Sequence, residues 1–354
     1  MQIASAASAF PKHYYSQETL FAALAQYWGD RLAKPEVLRR LHKNSAVDGR
    51  FLSLPIEEYP KLRSWGEAND HWIRTAQELG QCAISRALTV AGLDARDIGA
   101  LFFTSVTGIC SPSIDARLVN RMGLSPNIRR IPIYGLGCVA GAAGIARAAD
   151  YVRAYPDQVA VILAVELCSL TLQREDMSMA NLISSGLFGD GAAAVIVAGS
   201  ECGLNGSKIS GPRILDTRSV FYPGTEEMMG WEVSEKGFRI VLSPEVSNLI
   251  QQQLGGDVDR FLADLGHSRK DVGSWVLHTG GPKVLQATAS ALGLENGQLA
   301  ASWDCLRRMG NLSSASVLVV LEEVMKNRRP APGTLGVLAA MGPGFCSELL
   351  ALEW

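Results

Sequence analysis

Three residues with chemically versatile side chains each lie at the junction of two predicted elements. Cys138 in YGLGCVAGAAG follows a predicted strand and begins a predicted helix. Unpaired N–H groups and the helix dipole favour a thiolate there and so predict a lowered thiol pKa. His278 ends the apolar run SWVL and enters a glycine-rich loop, and Asn311 in MGNLSSASV starts another predicted helix. A thiol, an imidazole and a carboxamide together are suited to acyl transfer through a thioester.

Each of these residues also has an ordinary structural explanation. A cysteine in a tight strand-to-helix turn is often a small core residue, and a histidine is often satisfied within the fold. Asparagine is a good helix N-cap. Because the three residues are far apart in the chain, their sequence positions alone do not establish that they meet.

The elements that would position these residues alternate between helix and strand. Helical spacing over 68–92 is followed by the apolar strand 100–104, and a buried strand over 128–135 precedes a helix over 137–155 and a strand over 159–167. The small residues around Cys138 would let another helix or backbone approach closely. This alternation predicts an α/β fold with largely covered sheets.

The second half of the chain repeats the order of strand and helix, which suggests an internal duplication. Residues 200–230 are rich in Gly, Ser and Pro and are predicted to form loops and short strands. We place the boundary near residue 205. Residues 1–205 then carry the cysteine, and residues 206–354 carry the histidine and the asparagine.

The composition restricts the function classes. A chain of 354 residues with 47% hydrophobic and 19% charged residues can bury a large core. A net charge of −2 without runs of like charge argues against a nucleic-acid partner. The seven cysteines contain no CxxC pair, which favours neither a metal site nor a disulfide framework. The N-terminus lacks the pattern of a secretory signal, and apolar stretches are shorter than a membrane span, so we expect a cytoplasmic protein without stable membrane insertion.

Five segments resemble those of type III polyketide synthases, the chalcone and stilbene synthase family. They are GCVAGAAG, SSGLFGDGAAAVIV, HTGGP, GNLSSASV and MGPGF, in the family's order and spacing. The resemblance covers nearly the whole chain. It implies a five-layered αβαβα thiolase-like fold from two duplicated halves, and a homodimer. It also implies catalysis on acyl-CoA and malonyl-CoA without a cofactor or an acyl carrier protein.

The resemblance also implies a role for each site residue. Cys138 would hold the starter and the growing chain as a thioester and pair with His278, while His278 and Asn311 would stabilise the enolate formed when malonyl-CoA loses carbon dioxide. Phe188 and Phe238 would line the junction between CoA tunnel and cavity, although either could be a core residue. The other implied substrate-binding positions are Val106, Thr107, Ser111 and Cys168 in the cavity, Gly342, Pro343 and Gly344 in the terminal loop, and Arg39, Lys43 and Lys283 near the CoA phosphates.

This sequence departs from the family pattern at a few positions. Ser111 precedes Pro112 where the family often carries Met, Thr279 follows His278 where the family has Pro, and Glu36 stands at a basic position. The sequence as a whole resembles those of bacterial family members that make alkylpyrones or alkylresorcinols. We therefore expect a medium- or long-chain fatty acyl starter extended with malonyl-CoA.

Two alternatives remain. A β-ketoacyl-carrier-protein synthase III shares the fold and the three reactive residues, but the MGPGF and HTGGP segments argue against it. A catalytically silent scaffold with the thiolase fold is the other alternative, and the retention of all three reactive residues argues against it.

Overall fold

A computed structural model describes residues 1–203, 211–295 and 297–354. The predicted boundary near residue 205 lies outside the described residues. The described strands are β1 Gln2–Ala9, β2 His13–Ser16, β3 Gly49–Leu52, β4 Ile98–Thr104, β5 Arg129–Ile133, β6 Val159–Leu167, β7 Asp190–Ala198, β8 Arg213–Phe221, β9 Met229–Ser234, β10 Gly237–Leu242, β11 Val272–Leu277, β12 Leu335–Gly342 and β13 Cys346–Glu353. The described helices are α1 Gln17–Trp28, α2 Pro35–Lys43, α3 Trp65–Ala91, α4 Ile114–Met122, α5 Ala140–Ala154, α6 Met179–Leu187, α7 Val246–Asp264, α8 Pro282–Leu292, α9 Ala300–Met309 and α10 Ser316–Asn327.

Nine of the described strands form one mixed sheet in the order β11-β12-β13-β8-β1-β7-β6-β4-β5. Strand β4 runs parallel to β5 and β6, and β11 runs parallel to β12, whereas the other neighbours are antiparallel. The two halves of the sheet join where Gln2 of β1 pairs with Arg213 of β8. Two shorter pairs, β2 with β3 and β9 with β10, lie outside this sheet.

Helices cover both faces of each half of the sheet. Helices α3 and α4 pack on the outer face of the N-terminal half, and α7 and α8 pack on the outer face of the C-terminal half. Helices α5 and α10 lie between the halves. In β6, Ile162 faces this central layer while Leu163 faces α3, as the two-residue period of a strand requires. The expected αβαβα layering is therefore confirmed.

Several predicted elements agree with the structure and two do not. The helix predicted over 68–92 is α3, and the strand predicted over 159–167 is β6. The strand predicted over 128–135 is β5, but the prediction that it is buried was wrong, because β5 is the last strand of the sheet and three of its residues, Arg129, Arg130 and Pro132, are exposed. The stretch 200–230 contains the nine-residue strand β8, which pairs along its length with β13.

The small residues of α5 allow very close packing. A Cβ atom at Gly141 would lie 2.2 Å from the carbonyl oxygen of Ser314, and one at Gly144 would lie 2.3 Å from Ile162 Cδ1. Helix α5 is thus pressed against β6 on one side and against the turn before α10 on the other. This contact brings the Cys138 end of α5 beside the segment that carries Asn311.

Among the residues described, none of the helices combines the length and the apolar character that a membrane span requires.

Candidate active site

Cys138 lies in a one-turn helix, Gly137–Val139, directly before α5, and its side chain is buried. Gly137 has a φ of +52°, and a Cβ atom there would lie 2.6 Å from Pro343 Cδ. A Cβ atom at Gly342 would lie 2.6 Å from the carbonyl oxygen of Leu136. The segment Gly342–Gly344 therefore packs directly on the turn that carries Cys138, and close backbone approach explains its glycine at position 342.

Asn311 lies between α9 and α10, and its side chain is held by the following turn. Its Oδ1 atom accepts hydrogen bonds from the backbone N–H of Ser313 at 2.8 Å and from the hydroxyl of Ser316 at 3.2 Å. Because Oδ1 accepts these two hydrogen bonds, the orientation of the Asn311 amide is fixed, and Nδ2 is available to donate to another group. The N-cap of α10 is Ala315, so Asn311 does not cap this helix.

The backbone of Asn311 is bridged to that of Phe188. Asn311 N–H donates to the Leu187 carbonyl oxygen at 2.9 Å, and Gly189 N–H donates to the Asn311 carbonyl oxygen at 3.0 Å. In the turn after Asn311, Ser313 adopts a φ of +48°, which is uncommon for a residue with a side chain. Its hydroxyl lies 3.6 Å from Cys138 Sγ. Ser313 was not predicted to have a role, although it lies in the GNLSSASV segment.

His278 follows β11 and is also buried. Its backbone N–H donates to the Ala339 carbonyl oxygen at 3.1 Å, which holds the residue at the end of the sheet. Its Nδ1 atom is buried without a hydrogen-bond partner among the described residues. Burial lowers the pKa of His278 to about 4, so the imidazole is neutral at neutral pH.

Cys138, His278 and Asn311 line one cavity of about 50 Å³, which we call the catalytic cavity. The rest of its wall is largely apolar and includes Ile250 of α7 and Val284 of α8. The structure therefore brings the three predicted catalytic residues together from distant parts of the chain. A nucleophile beside a base and an amide donor in an apolar cavity is suited to acyl transfer and to the stabilisation of an enolate.

The thiol of Cys138 does not have the lowered pKa that its position before a helix predicts. Burial raises the pKa to about 12, while hydrogen bonds from Ser313 and Asn311 act in the opposite direction and the nearby carboxyl of Glu166 raises it further. The expectation was wrong because desolvation of the thiolate outweighs the favourable backbone dipoles. Ionisation of the thiol consequently requires a base, and the neutral His278 is available in the same cavity.

A second and larger cavity of about 510 Å³, which we call the chamber, adjoins the catalytic cavity. Phe188 lines both cavities. The chamber wall is largely apolar, with Leu20 and Leu24 from α1 and Trp231 from β9, and it also contains Cys168. Its volume lies within the range of small-molecule sites.

The other residues predicted to line the substrate cavity have different positions. Phe238 is buried against Trp65 and Trp231, with ring centroids 5.5 and 6.1 Å away, and lines neither of these two cavities. Val106 N–H and the Thr107 hydroxyl instead bind the buried carboxylate of Glu166, at 3.1 and 2.9 Å. Ser111 is exposed on the surface.

The cations predicted for the CoA phosphates are all exposed and line neither cavity. Arg39 pairs with Glu18 at 2.9 Å and stacks on the Phe21 ring at 4.3 Å. Lys43 is the last residue of α2, and Lys283 is the second residue of α8. Arg31, Arg63 and Lys236 contribute to the chamber wall and were not predicted, because they belong to separate segments that converge only in the folded chain.

A buried cysteine that shares a cavity with a histidine and an asparagine, at the centre of an αβαβα fold, defines a condensing enzyme of the thiolase class. The sequence signatures of the chalcone and stilbene synthases match the chain, with the N-terminal domain over residues 2–201 and the C-terminal domain over residues 214–353. The chain belongs to this family and is a type III polyketide synthase, an acyltransferase.

Relatives are similar over almost the whole chain. The chain is 48% identical to the 1,3,6,8-tetrahydroxynaphthalene synthase of Streptomyces peucetius subsp. caesius, over 99% of this chain and 93% of the relative. It is 31% identical to the phloroglucinol synthase of Pseudomonas fluorescens, over 98% and 97%. The crystal structure of the 1,3,6,8-tetrahydroxynaphthalene synthase from Streptomyces coelicolor A3(2), described as a bacterial type III polyketide synthase, superposes with a TM-score of 0.93 at 30% identity and covers 100% of this chain and 99% of that one.

Proposed function

We propose that Cys138, His278 and Asn311 catalyse the decarboxylative condensation of malonyl-CoA with an acyl group held on the cysteine. The observation that supports this proposal is their convergence on one buried cavity beside the chamber. In the loading step, the neutral imidazole of His278 accepts the thiol proton, and the sulfur of Cys138 attacks the thioester carbonyl of an acyl-CoA. The C–S bond to CoA breaks, and the CoA thiolate leaves and takes the proton from His278, so that the imidazole is neutral again.

In the condensing step, His278 and Asn311 donate N–H groups to the thioester carbonyl oxygen of malonyl-CoA. The C–C bond to the carboxylate breaks, carbon dioxide leaves, and its bonding electrons form an enolate whose oxygen these donors stabilise. The enolate carbon then attacks the acyl group on Cys138, and the cysteine thiolate leaves. The extended chain is now attached to CoA and can be loaded again.

The proposed substrates are CoA thioesters, without a further cofactor and without an acyl carrier protein, and a cytoplasmic location would suit these substrates. Phe188 is proposed to separate the chamber from the catalytic cavity, in agreement with its place in both walls. Contacts of Arg39, Lys43 and Lys283 with CoA phosphates remain predictions.

We propose that malonyl-CoA supplies the starter as well as the extender units. The resulting chain would close to a hydroxylated aromatic ring. The named products of two relatives, tetrahydroxynaphthalene and phloroglucinol, carry hydroxyl groups on their rings and no alkyl chain. Hydroxyl groups in this pattern result when two-carbon units are joined into a chain with a carbonyl group on every second carbon and the chain then cyclises. Polar groups in the chamber wall, among them Thr171 and Gln173, would suit an oxygen-rich chain.

A second candidate is the medium- or long-chain fatty acyl starter with an alkylpyrone or alkylresorcinol product. The apolar part of the chamber wall, with Leu20, Leu24 and Leu62, favours this candidate. Burial of an alkyl chain contributes about 0.8 kcal/mol per methylene, so kcat/KM would rise up to roughly fourfold with each added methylene.

The starter is tested by product mass spectrometry with malonyl-CoA alone and with hexanoyl-, lauroyl-, palmitoyl- and p-coumaroyl-CoA added. The main proposal expects a hydroxylated aromatic product from malonyl-CoA alone. A kcat/KM that rises steadily from hexanoyl- to palmitoyl-CoA, with no product from malonyl-CoA alone, would support the fatty acyl candidate instead.

The catalytic roles are tested by two substitutions. Cys138→Ala should abolish polyketide formation and retain decarboxylation of malonyl-CoA, because the enolate forms on His278 and Asn311. His278→Ala should stop both reactions. Polyketide formation by the Cys138→Ala protein would contradict the assignment of the nucleophile.

We also propose a homodimer. The exposed apolar side chains of Ile109 and Tyr134, the latter directly after the edge strand β5, offer surface for a second copy. Light scattering should give about twice the chain mass of 38.0 kDa. A monomer at micromolar concentration would contradict the dimer.

A further inference from the structure

The chamber wall has one polar region in otherwise largely apolar surroundings. Arg50, Tyr59 and Ser169 line the chamber there, and Ser53 and Asp190 are hydrogen-bonded to this group. We call these five residues the polar corner. The reaction proposed for Cys138 does not use any of them.

Asp190 is the centre of the polar corner and is completely buried. Its Oδ1 atom accepts the backbone N–H of Ser169 at 2.8 Å, and its Oδ2 atom accepts the backbone N–H of Ser53 at 2.7 Å. The hydroxyl groups of both serines also donate to Oδ2. Burial raises the pKa of Asp190, and these four donors act in the opposite direction because each of them stabilises the carboxylate.

This arrangement determines the direction of the hydrogen bond between Tyr59 and Ser169. The two hydroxyl oxygens are 2.5 Å apart. A serine hydroxyl has a single hydrogen, and that of Ser169 is given to Asp190, so the Tyr59 hydroxyl must be the donor to Ser169. Burial raises the pKa of Tyr59 well above its ordinary value, which keeps this hydrogen in place. The Tyr59 oxygen also accepts the backbone N–H of Leu54 at 3.3 Å, which leaves its second lone pair as the acceptor offered to the chamber.

Arg50 supplies donors in the same wall and is almost fully buried. Its guanidinium donates to the carbonyl oxygens of Phe188 at 2.9 Å and Ser185 at 2.8 Å. Its Nε atom is buried without a partner in the described part of the chain. Burial lowers the pKa of Arg50 to about 10, partly opposed by the nearby Asp190, so the group is still a cation at neutral pH. A guanidinium has five N–H groups, so this one retains donors for a ligand oxygen.

We propose that the polar corner binds an enolised β-diketone unit of the growing polyketide chain. The enol hydroxyl would donate to the Tyr59 oxygen, and the neighbouring carbonyl would accept from Arg50. An enolised β-diketone presents one hydroxyl and one carbonyl on alternate carbons, and the polar corner presents one acceptor and one cationic donor. This inference rests on the proposed function, because only a chain extended by malonyl units contains such a group.

Binding at the polar corner would fix how far the chain can grow and which of its carbons meet in ring closure. The chain end attached to the thioester lies at Cys138, and a unit anchored in the chamber holds the rest of the chain at a set distance from it. Pockets of this kind commonly use a small number of polar groups to orient an otherwise apolar ligand. The polar corner would thus determine product identity and not the rate of enolate formation.

The test uses two substitutions that each remove one hydroxyl group, Tyr59→Phe and Ser169→Ala. Tyr59→Phe removes the acceptor, and Ser169→Ala frees the Tyr59 hydrogen to turn into the chamber. Tyr222→Phe is the matched control, because the Tyr222 hydroxyl is bound by Asp257 at 2.5 Å and lines neither cavity. Each protein is incubated with malonyl-CoA, and carbon dioxide release and the full product profile are measured, with Tm as a check of folding.

We expect the Tyr59→Phe and Ser169→Ala proteins to release carbon dioxide within twofold of the wild-type rate. Their ratio of the main cyclised product to shorter lactones should fall about fivefold, the effect of one lost hydrogen bond. The control should keep the wild-type ratio. If the Tyr59→Phe protein does not fold, the product ratio of the Ser169→Ala protein tests the inference by itself.

An unchanged product ratio in the folded variants would overturn the inference and leave the proposed function intact. Loss of carbon dioxide release in both folded variants would also overturn it, because the polar corner would then act on enolate formation. A wild-type protein that makes no polyketide from any starter would overturn the proposed function and this inference together.

Discussion

The substitution Asn311→Asp isolates the contribution of the amide donor in the catalytic cavity. Asn311 Oδ1 is held by Ser313 and Ser316, so an aspartate of the same shape can keep both of these hydrogen bonds. Only Nδ2 changes, from an N–H donor to an oxygen. The variant therefore removes the group proposed to stabilise the enolate and leaves the shape of the buried cavity intact.

The expected loss follows from the role of a single donor at a developing oxyanion. Removal of one such donor costs about 10²- to 10³-fold in rate, or roughly 3 to 4 kcal/mol. A carboxylate oxygen beside the enolate adds repulsion, so the loss should be at the upper end of this range. Ser316→Ala, which removes only one of the bonds to Oδ1, should cost about fivefold or less.

The assay is the release of labelled carbon dioxide from malonyl-CoA, measured in the Cys138→Ala background so that condensation does not contribute. Thermal unfolding shows whether each variant keeps its fold. If Asn311→Asp decarboxylates malonyl-CoA within threefold of its parent while still folded, Asn311 does not stabilise the enolate, and the proposed division of roles is wrong.

Two further predictions concern His278 and the packing of α5. In the wild-type protein, burial lowers the pKa of His278 to about 4, so above this value the imidazole is neutral and can accept the thiol proton, and transfer of an acyl group to Cys138 should stay constant from about pH 8 to 5 and fall only towards pH 4. A decline centred near the ordinary histidine pKa would contradict this. Gly141→Ala places a Cβ atom 2.2 Å from the Ser314 carbonyl oxygen and should lower the free energy of unfolding by about 1 to 3 kcal/mol or more. Gly66→Ala, whose nearest contact is at 3.6 Å, is the control and should change stability by less than about 0.5 kcal/mol.

The residue types and their order along the chain were sufficient to predict the fold class and to select Cys138, His278 and Asn311, which the structure brings to one cavity. The apolar run over 159–167 predicts a strand covered on both faces, and β6 has those bounds. Small residues around Cys138 predict close helix packing, and Gly141 meets the Ser314 backbone as expected. These features are local, because a periodic apolar pattern or a missing side chain acts on its immediate neighbours.

The exposure of β5, the length of β8 and the high pKa of Cys138 depended on the tertiary structure. Strand β5 is exposed because no strand follows it in the sheet, and β8 extends because β13 pairs with it from the far end of the chain. The pKa of Cys138 is set by burial among residues distant in sequence, which outweighs the dipoles of its own turn. The polar corner likewise joins Arg50, Tyr59 and Asp190 across well over a hundred residues, and no local pattern specifies such a contact.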